Sequence, residues 1–346
     1  MFPFQSGRWA ASEKVAVYSL STRLAAYAFC FVHSKAKFSL KLNQKKISDR
    51  EGEEMRKSGV LCILNLLILT TVLIFNPVND ASAQSAKKTF VLVHGAFGDQ
   101  AVWEGPDAEN GVAEQLRKRG YRVVMATLPG LGRNQRQADE SINLESHVRN
   151  VVDILEIDNI TDAIVVCHSY SGLLCAAVQD QVPRRISKMV FFDAVVPVSG
   201  DSFFSAVGMP SPDWFPDLQT YYRVLGLPVP AENLWCFPNL SADAFALTDP
   251  VDLAWLNERQ HCQPIHTFDQ PVTFNWKSGV RKYFIHATVP WFSYKQFLMF
   301  KERAIDMGWN LYSMGASHYA AISNPDEVVK ILTLIDNTPY EHWSFN

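Results

Sequence analysis

The sequence predicts an α/β protein: a doubly wound, mostly parallel sheet of about six strands with an inserted cap. Three observations lead there. From residue 89 onward, apolar runs of strand length recur, and they are continuous rather than alternating, as strands covered on both faces require. Stretches with apolar residues at helical spacing separate them. Between about residues 199 and 280 the rhythm stops, and Pro and aromatic residues crowd the chain.

The elements follow in order. Thr89 to Val93 is the first strand. Gly111 to Arg119 reads as a helix ended by Gly120, and Tyr121 to Thr127 as the second strand. Asn143 to Ile157 sets Leu144, His147, Val148, Val151, Val152 and Leu155 on one helical face. Asp162 to Cys167 is a strand, and the helix after it runs through Leu173, Leu174, Ala177 and Val178. Ile186 to Phe192 is the next strand. Beyond the irregular segment, Arg281 to Ala287 and Trp309 to Met314 are strands. Tyr294 to Met307 and Pro325 to Asp336 are helices, the last with Asn324 at its N-cap. The segment 199–280 is expected to lie as a cap over the carboxyl ends of the strands, where open α/β sheets bind ligands.

Composition narrows the function. Of 346 residues, 48% are hydrophobic and 19% charged, which suits an ordered chain with a sizeable core. A formal charge of -3 gives no basic footprint for nucleic acid. The first 83 residues are different: they hold 11 of the 32 basic and 6 of the 35 acidic side chains, so residues 84–346 carry a net charge of about -8.

Residues 55–83 have the layout of a signal peptide. Arg56 and Lys57 precede an uncharged apolar run from Gly59 to Phe75, and Ala81-Ser82-Ala83 is a small-residue cleavage pattern. The run is short for a membrane-spanning helix, which needs about 20 residues. Residues 84–346 are therefore expected to be exported, to the periplasm or beyond; a retained N-terminal anchor is the alternative. Residues 1–54 carry no domain pattern and are read as an uncertain leader upstream of a true start at Met55, or as a second leader. Four cysteines follow the leader. Cys236 and Cys262 lie in irregular chain and could pair, since export permits disulfides. Cys167 and Cys175 sit in apolar strand and helix contexts and are expected to be buried thiols.

Three short stretches carry chemistry. In Ile164-Val165-Val166-Cys167-His168-Ser169-Tyr170-Ser171-Gly172 a buried strand gives way to a helix at Ser169. A serine on such a sharp turn is a candidate nucleophile, with helix N–H groups beside it. The usual small residues two before and two after are here Cys167 and Ser171, neither of them glycine. The plain structural reading is a helix N-cap serine. Val93-His94-Gly95-Ala96-Phe97-Gly98, after the first strand, can turn the Ala96 N–H towards Ser169; with the Tyr170 N–H it would form an oxyanion hole. Gly315-Ala316-Ser317-His318, after the last strand, puts a histidine where the base falls in a Ser…acid…His chain order. His94, His168 and His286 are weaker rivals. No paired metal-ligand spacing and no phosphate-binding glycine loop is present, so neither metal nor cofactor is expected.

These stretches, with ATLPGLGRN at 126–134, VFFDAVVP at 190–197 and GASHYAAISNPDEV at 315–328, make residues from about 89 to 346 resemble the α/β-hydrolase superfamily. More narrowly, the chain is similar to bacterial esterase-like proteins related to plant methylesterases and hydroxynitrile lyases. The resemblance implies an α/β-hydrolase fold and a Ser-His-acid hydrolase acting on a small-molecule ester. Many relatives place the acid after the penultimate strand, but His286-Ala287-Thr288-Val289-Pro290-Trp291 holds no carboxylate, and Glu302 and Asp306 belong to the following helix. Asp193, at the end of the strand after the elbow, stands where some relatives carry theirs, so the expected triad is Ser169, His318 and Asp193.

The cap is rich in Phe, Trp and Tyr. Those facing Ser169 would make an apolar pocket, which points to an uncharged, fairly hydrophobic ester of small to medium size. Two other readings stay open. One is a lyase on the same scaffold, which would need a lysine near the pocket, Lys277 or Lys295. The other is a non-catalytic ligand binder, motivated by the missing acid in the usual loop.

Overall fold

The computed structural model describes residues 88–276 and 279–338. The leader, the start at Met55 and the cleavage pattern lie outside the described residues, as does Lys277.

Strand β1 (Thr89–Val93) leads through a loop to helix α1 (Val112–Lys118) and strand β2 (Arg122–Ala126). Helix α2 (Leu144–Ile157), strand β3 (Ala163–His168), helix α3 (Ser171–Gln181) and strand β4 (Ile186–Phe192) complete the first half. Every residue of β1 and β3 is buried, which is why their sequences run apolar without alternation. Helix α2 starts at Asn143, whose side chain accepts the Ser146 N–H while Ser146 returns a bond to the Asn143 backbone, closing a capping box.

The described residues of 193–280 hold four short α-helices, α4 (Phe203–Ala206), α5 (Leu218–Val224), α6 (Pro250–Asn257) and α7 (His266–Asp269). Between them lies a two-stranded antiparallel ribbon, β5 (Cys236–Phe237) with β6 (Gln263–Pro264). The sequence pattern gave no sign of this ribbon, because two-residue strands show no periodicity. Strand β7 (Arg281–Ala287), helix α8 (Tyr294–Asp306), strand β8 (Asn310–Met314), a short helix α9 (Ala320–Ser323) and helix α10 (Pro325–Asn337) finish the chain. Asn324 occupies the N-cap of α10, but its side chain makes no capping bond; its oxygen accepts from Ser323 instead.

The main sheet has six strands in the order β2-β1-β3-β4-β7-β8, and every neighbouring pair is parallel. The chain winds from β1 outward to β2, then returns to β3 on the other side of β1. The carboxyl ends of β1 and β3 therefore flank the point where winding reverses, and a crevice opens there in folds of this type. The loop bearing Ala96 and the turn bearing Ser169 are the two walls of that crevice. Among the described residues, no helix is long and apolar enough to cross a membrane.

Candidate active site

Ser169 follows β3 directly and has φ 56°, a left-handed conformation rare for a residue with a side chain. The turn is held by backbone bonds on both sides: Ser169 N–H donates to Phe192 O (3.2 Å), and Ser169 O accepts from Val195 N–H (3.0 Å). Two glycines make room. A Cβ on Gly95 would stand 2.9 Å from Ser169 Cβ, so the first loop can approach the elbow only without one. A Cβ on Gly172 would run into the Val195 carbonyl oxygen. The close approach thus falls on Gly172, one residue later than the usual motif. Ser171 is tolerated because its hydroxyl bonds inward, within reach of His168 O (2.8 Å) and Val93 O (3.2 Å).

Cys167, the other departure, corrects the thiol expectation: it is disulfide-bonded to Cys175, one strand residue joined to the helix behind the elbow, with Cα atoms 6.5 Å apart. Both residues are buried among apolar groups, a setting that by itself does not distinguish a thiol from a bridge. Cys236 and Cys262 are also paired, linking the two segments of the cap ribbon.

The sequence-predicted residues come together. His318 Nε2 lies 2.8 Å from Ser169 Oγ, and His318 Nδ1 lies 2.7 Å from Asp193 Oδ2. Asp193 is fully buried, His318 almost so, and Ser169 is 8% exposed at the floor of a cavity. Asp193 has φ 39°, a second left-handed residue one step past a strand, and its N–H is fixed by Ile285 O at 2.7 Å. Burial pushes the Asp193 carboxyl upward, but hydrogen bonds from His286 and His318 outweigh it and hold the group below its usual value. With Asp193 ionised, His318 Nδ1 carries the proton and Nε2 faces Ser169 as an acceptor.

The rival histidines have other partners. His94 Nδ1 donates to Gly95 O (2.8 Å) and its Nε2 accepts the Leu128 N–H (3.1 Å). Burial lowers it to about 4. His168 Nε2 donates to His318 O (2.9 Å), tying the elbow to the base loop; burial, then the nearby His318, lowers it to about 3. His286 Nδ1 is 3.4 Å from Asp193 Oδ1, beside the Ala287 N–H at 3.3 Å. Sequence reading treated His286 as a competitor for the base. Its nearness to the acid follows from β4 and β7 being neighbours, which only the sheet order reveals.

Aromatic rings enclose His318. Trp291 stands 4.1 Å from the His318 ring centroid and Phe245 stacks on it at 5.6 Å and 20°. Sequence reading missed Trp291 as a neighbour of His318, although it closes the loop in which an acid was sought. A cavity of about 180 Å³ opens above Ser169, walled by Ala96, Phe97, Phe203, Phe268, Trp291 and Phe297 among others. Among the described residues its hydroxyls belong to Ser169 and Ser293, and none of its lining residues is a lysine; Lys295 is exposed to solvent. Tyr170 buries its ring behind the elbow, its hydroxyl 3.0 Å from His147 Nδ1, while His147 Nε2 donates to Pro129 O (2.9 Å). A larger, more open groove of about 640 Å³ lies beyond the His318 loop, near Glu104, Asp107, Asp249 and Asp252, and contains no nucleophile beside a base. Among the described residues, no group of His, Cys, Asp and Glu is placed to hold a metal ion.

The chain is similar to known proteins. A carbendazim hydrolyzing esterase from Nocardioides sp. (strain SG-4G) is 27% identical over 71% of this chain and 98% of its own length. Methylesterase 8 of Arabidopsis thaliana is 28% identical over 43% of this chain and 50% of its own. Among solved structures, tomato methylketone synthase I superposes with a TM-score of 0.57 at 22% identity, covering 72% of this chain and 98% of that one. An extracellular alpha/beta-hydrolase from a Paenibacillus species superposes with a TM-score of 0.53 at 21% identity, covering 71% and 98%. At these identities the two structures speak for the fold alone. The family model for the alpha/beta hydrolase family matches residues 90–331, and the chain belongs to that family, in its esterase-like branch.

Proposed function

We propose that the protein hydrolyses an uncharged, hydrophobic ester of small to medium size through an acyl-enzyme on Ser169. One observation carries this reading: the chain of contacts from Asp193 Oδ2 to His318 Nδ1 (2.7 Å) and from His318 Nε2 to Ser169 Oγ (2.8 Å), ending at the floor of an apolar cavity. His318 takes the Ser169 proton as Oγ attacks the ester carbonyl carbon. Ala96 and Tyr170 N–H groups hold the oxyanion that forms. The tetrahedral intermediate collapses, the C–O bond to the alcohol breaks, and His318 returns the proton to the leaving alkoxide. Water, deprotonated by His318, then attacks the acyl carbon; the bond to Oγ breaks, His318 returns the proton to Ser169 Oγ, and the carboxylic acid leaves. Asp193 keeps the imidazole in the required tautomer and stabilises its charged form. The names of the relatives, an esterase and a methylesterase, support ester chemistry.

The deciding assay is a panel of p-nitrophenyl esters from acetate to dodecanoate, run on the protein and on Ser169→Ala. Hydrolysis should vanish to background in the variant, a loss of roughly 10⁶-fold in kcat. Equal rates in both would end the acyl-enzyme reading, and cyanide release from mandelonitrile would replace it with the lyase. Among the described residues no lysine lines the cavity to serve such a lyase, and Asp193 beside His318 takes away the motive for a non-catalytic binder.

We propose as well that residues 84–346 act after export, with 55–83 removed as a signal peptide. Two disulfides within one domain suit an oxidising compartment. N-terminal sequencing of the mature protein should read from Gln84; an N-terminus at Met1 or Met55 would overturn this.

A further inference from the structure

The loop that carries Ala96 is not held by the sheet alone. Phe97 has φ 64°, left-handed for a residue with a bulky side chain. Both of its backbone polar groups are bound by one short cap segment. Its N–H donates to Gln263 Oε1 at 3.0 Å, and its carbonyl accepts the His261 N–H at 2.7 Å. The carbonyl of Ala96 is taken as well, by the Gly98 N–H at 2.8 Å. The peptide plane between Ala96 and Phe97 is thus fixed at both its oxygen and its nitrogen.

Gln263 is fully buried, and its amide has one workable orientation. Its NH₂ donates to Thr267 Oγ1 (2.7 Å), and the Thr267 hydroxyl donates onward to Pro264 O (2.7 Å). Flipping the amide would set its NH₂ against the Phe97 N–H and its oxygen against a hydroxyl whose proton is already committed. Gln263 sits on the ribbon, paired with Phe237, and its neighbour Cys262 is bonded to Cys236. A buried amide bonded at both its oxygen and its nitrogen, on a cross-linked ribbon, is a rigid post.

We propose that Gln263 is a positioning residue for the oxyanion hole: from the cap, it holds Phe97 left-handed and so aims the Ala96 N–H at the charge developing above Ser169. The inference rests on the acyl-enzyme reading of Ser169. It means that the cap, beyond shaping the cavity, sets one half of the electrostatic machinery. Misplacing an oxyanion donor costs rate, because the donor acts on the transition state and hardly at all on the bound ester.

The test compares Gln263→Met, which keeps the shape and loses the acceptor, with Gln263→Glu, which keeps an acceptor oxygen. Gln263→Met should lower kcat by about 10- to 100-fold with KM changed less than about twofold. Its affinity for an alkyl trifluoromethyl ketone, which forms an oxyanion adduct with Ser169, should fall by the same factor. Affinity for the matching methyl ketone should stay. Gln263→Glu should keep kcat within about threefold. His261→Pro, at a half-buried position, removes the other bond to Phe97 and should show the same ketone signature if Gln263→Met does not fold. The proposal is overturned if Gln263→Met folds and keeps its kcat, if both ketones weaken together in either variant, or if Gln263→Glu loses as much as Gln263→Met. A parent protein whose hydrolysis survives Ser169→Ala would instead overturn the acyl-enzyme reading, and the two failures are separable.

Discussion

The sheet and the cap hold the same site by different means. Ser169 and Asp193 each stand one residue past a buried parallel strand, and strand register fixes them; His318 lies a few residues past β8, its N–H donating to Phe245 O and its carbonyl accepting from His168 Nε2. The cap reaches the site from short helices and a two-residue ribbon, through side chains such as Phe203, Phe268 and Gln263. Strand ends place atoms to the precision that proton transfer needs, whereas irregular chain packed through aromatic rings places a wall. The difference predicts a division of labour: substitutions at strand ends should strike kcat, and those in the cap wall should strike selectivity, with Gln263 as the crossing point.

Asp193→Asn gives the largest effect on the sheet side. The amide keeps the shape but favours the wrong His318 tautomer, and kcat should fall by roughly 10³- to 10⁴-fold. Steady-state kinetics on the best p-nitrophenyl ester measures this, with circular dichroism as the control for folding. A fall of less than tenfold would show that the base finds its carboxylate elsewhere, and the strand-end account would break.

Acid should separate the two regions next. His94, His147 and His168 are buried on the sheet side, and burial lowers them to about 4, about 3 and about 3. An unfolded histidine titrates near 6.5, so between the two values the unfolded chain binds more protons than the folded one. Stability must then fall as pH drops below about 6.5, by roughly 4 kcal/mol per pH unit at the steepest if all three respond together. The described histidines of the cap are less enclosed: His261 is half-buried and His266 exposed. Urea midpoints at pH 7, 6 and 5 should decline steeply. A flat series would mean that the three rings accept protons in place.

How much of this could be read from sequence divides along the same line. The sheet was legible because burial on both faces writes unbroken apolar runs, and the helices because α2 repeats its apolar residues every turn. Ser169, Asp193 and His318 could be picked out as candidates because each follows a strand closely, in a fixed chain order. Gln263 was not, since one glutamine beside a cysteine carries no periodicity; its role exists only once residues 97 and 263 meet. Nor was His286, whose approach to Asp193 depends on β4 lying beside β7. The Cys167–Cys175 bridge was hidden for a related reason. An apolar strand followed by an apolar helix looks the same whether the two sulfurs are free or bonded, and eight residues of separation around a tight turn bring them back together.

Phe203→Ala makes the finest cut. Phe203 is half-buried, stacks on Phe268 at 4.4 Å and 26°, and lines the cavity. Phe268 is nearly fully buried and touches five other rings, so its removal would cost the cap its packing; Phe203 can go with less damage. The lost ring lengthens the space available to a chain above Ser169. Each additional buried methylene is worth about 0.8 kcal/mol, so room for two should raise kcat/KM for the octanoate ester relative to the butyrate by about tenfold. Phe203 also meets the Tyr170 ring edge-on at 5.7 Å, and Tyr170 is the residue proposed to supply the other oxyanion N–H. Its hydroxyl, however, is hydrogen-bonded to His147 Nδ1, so the backbone should stay in place and kcat on the acetate ester should change by less than about threefold. If acetate turnover collapses as well, the cap wall takes part in the chemistry, and the division between sheet and cap fails at its weakest point.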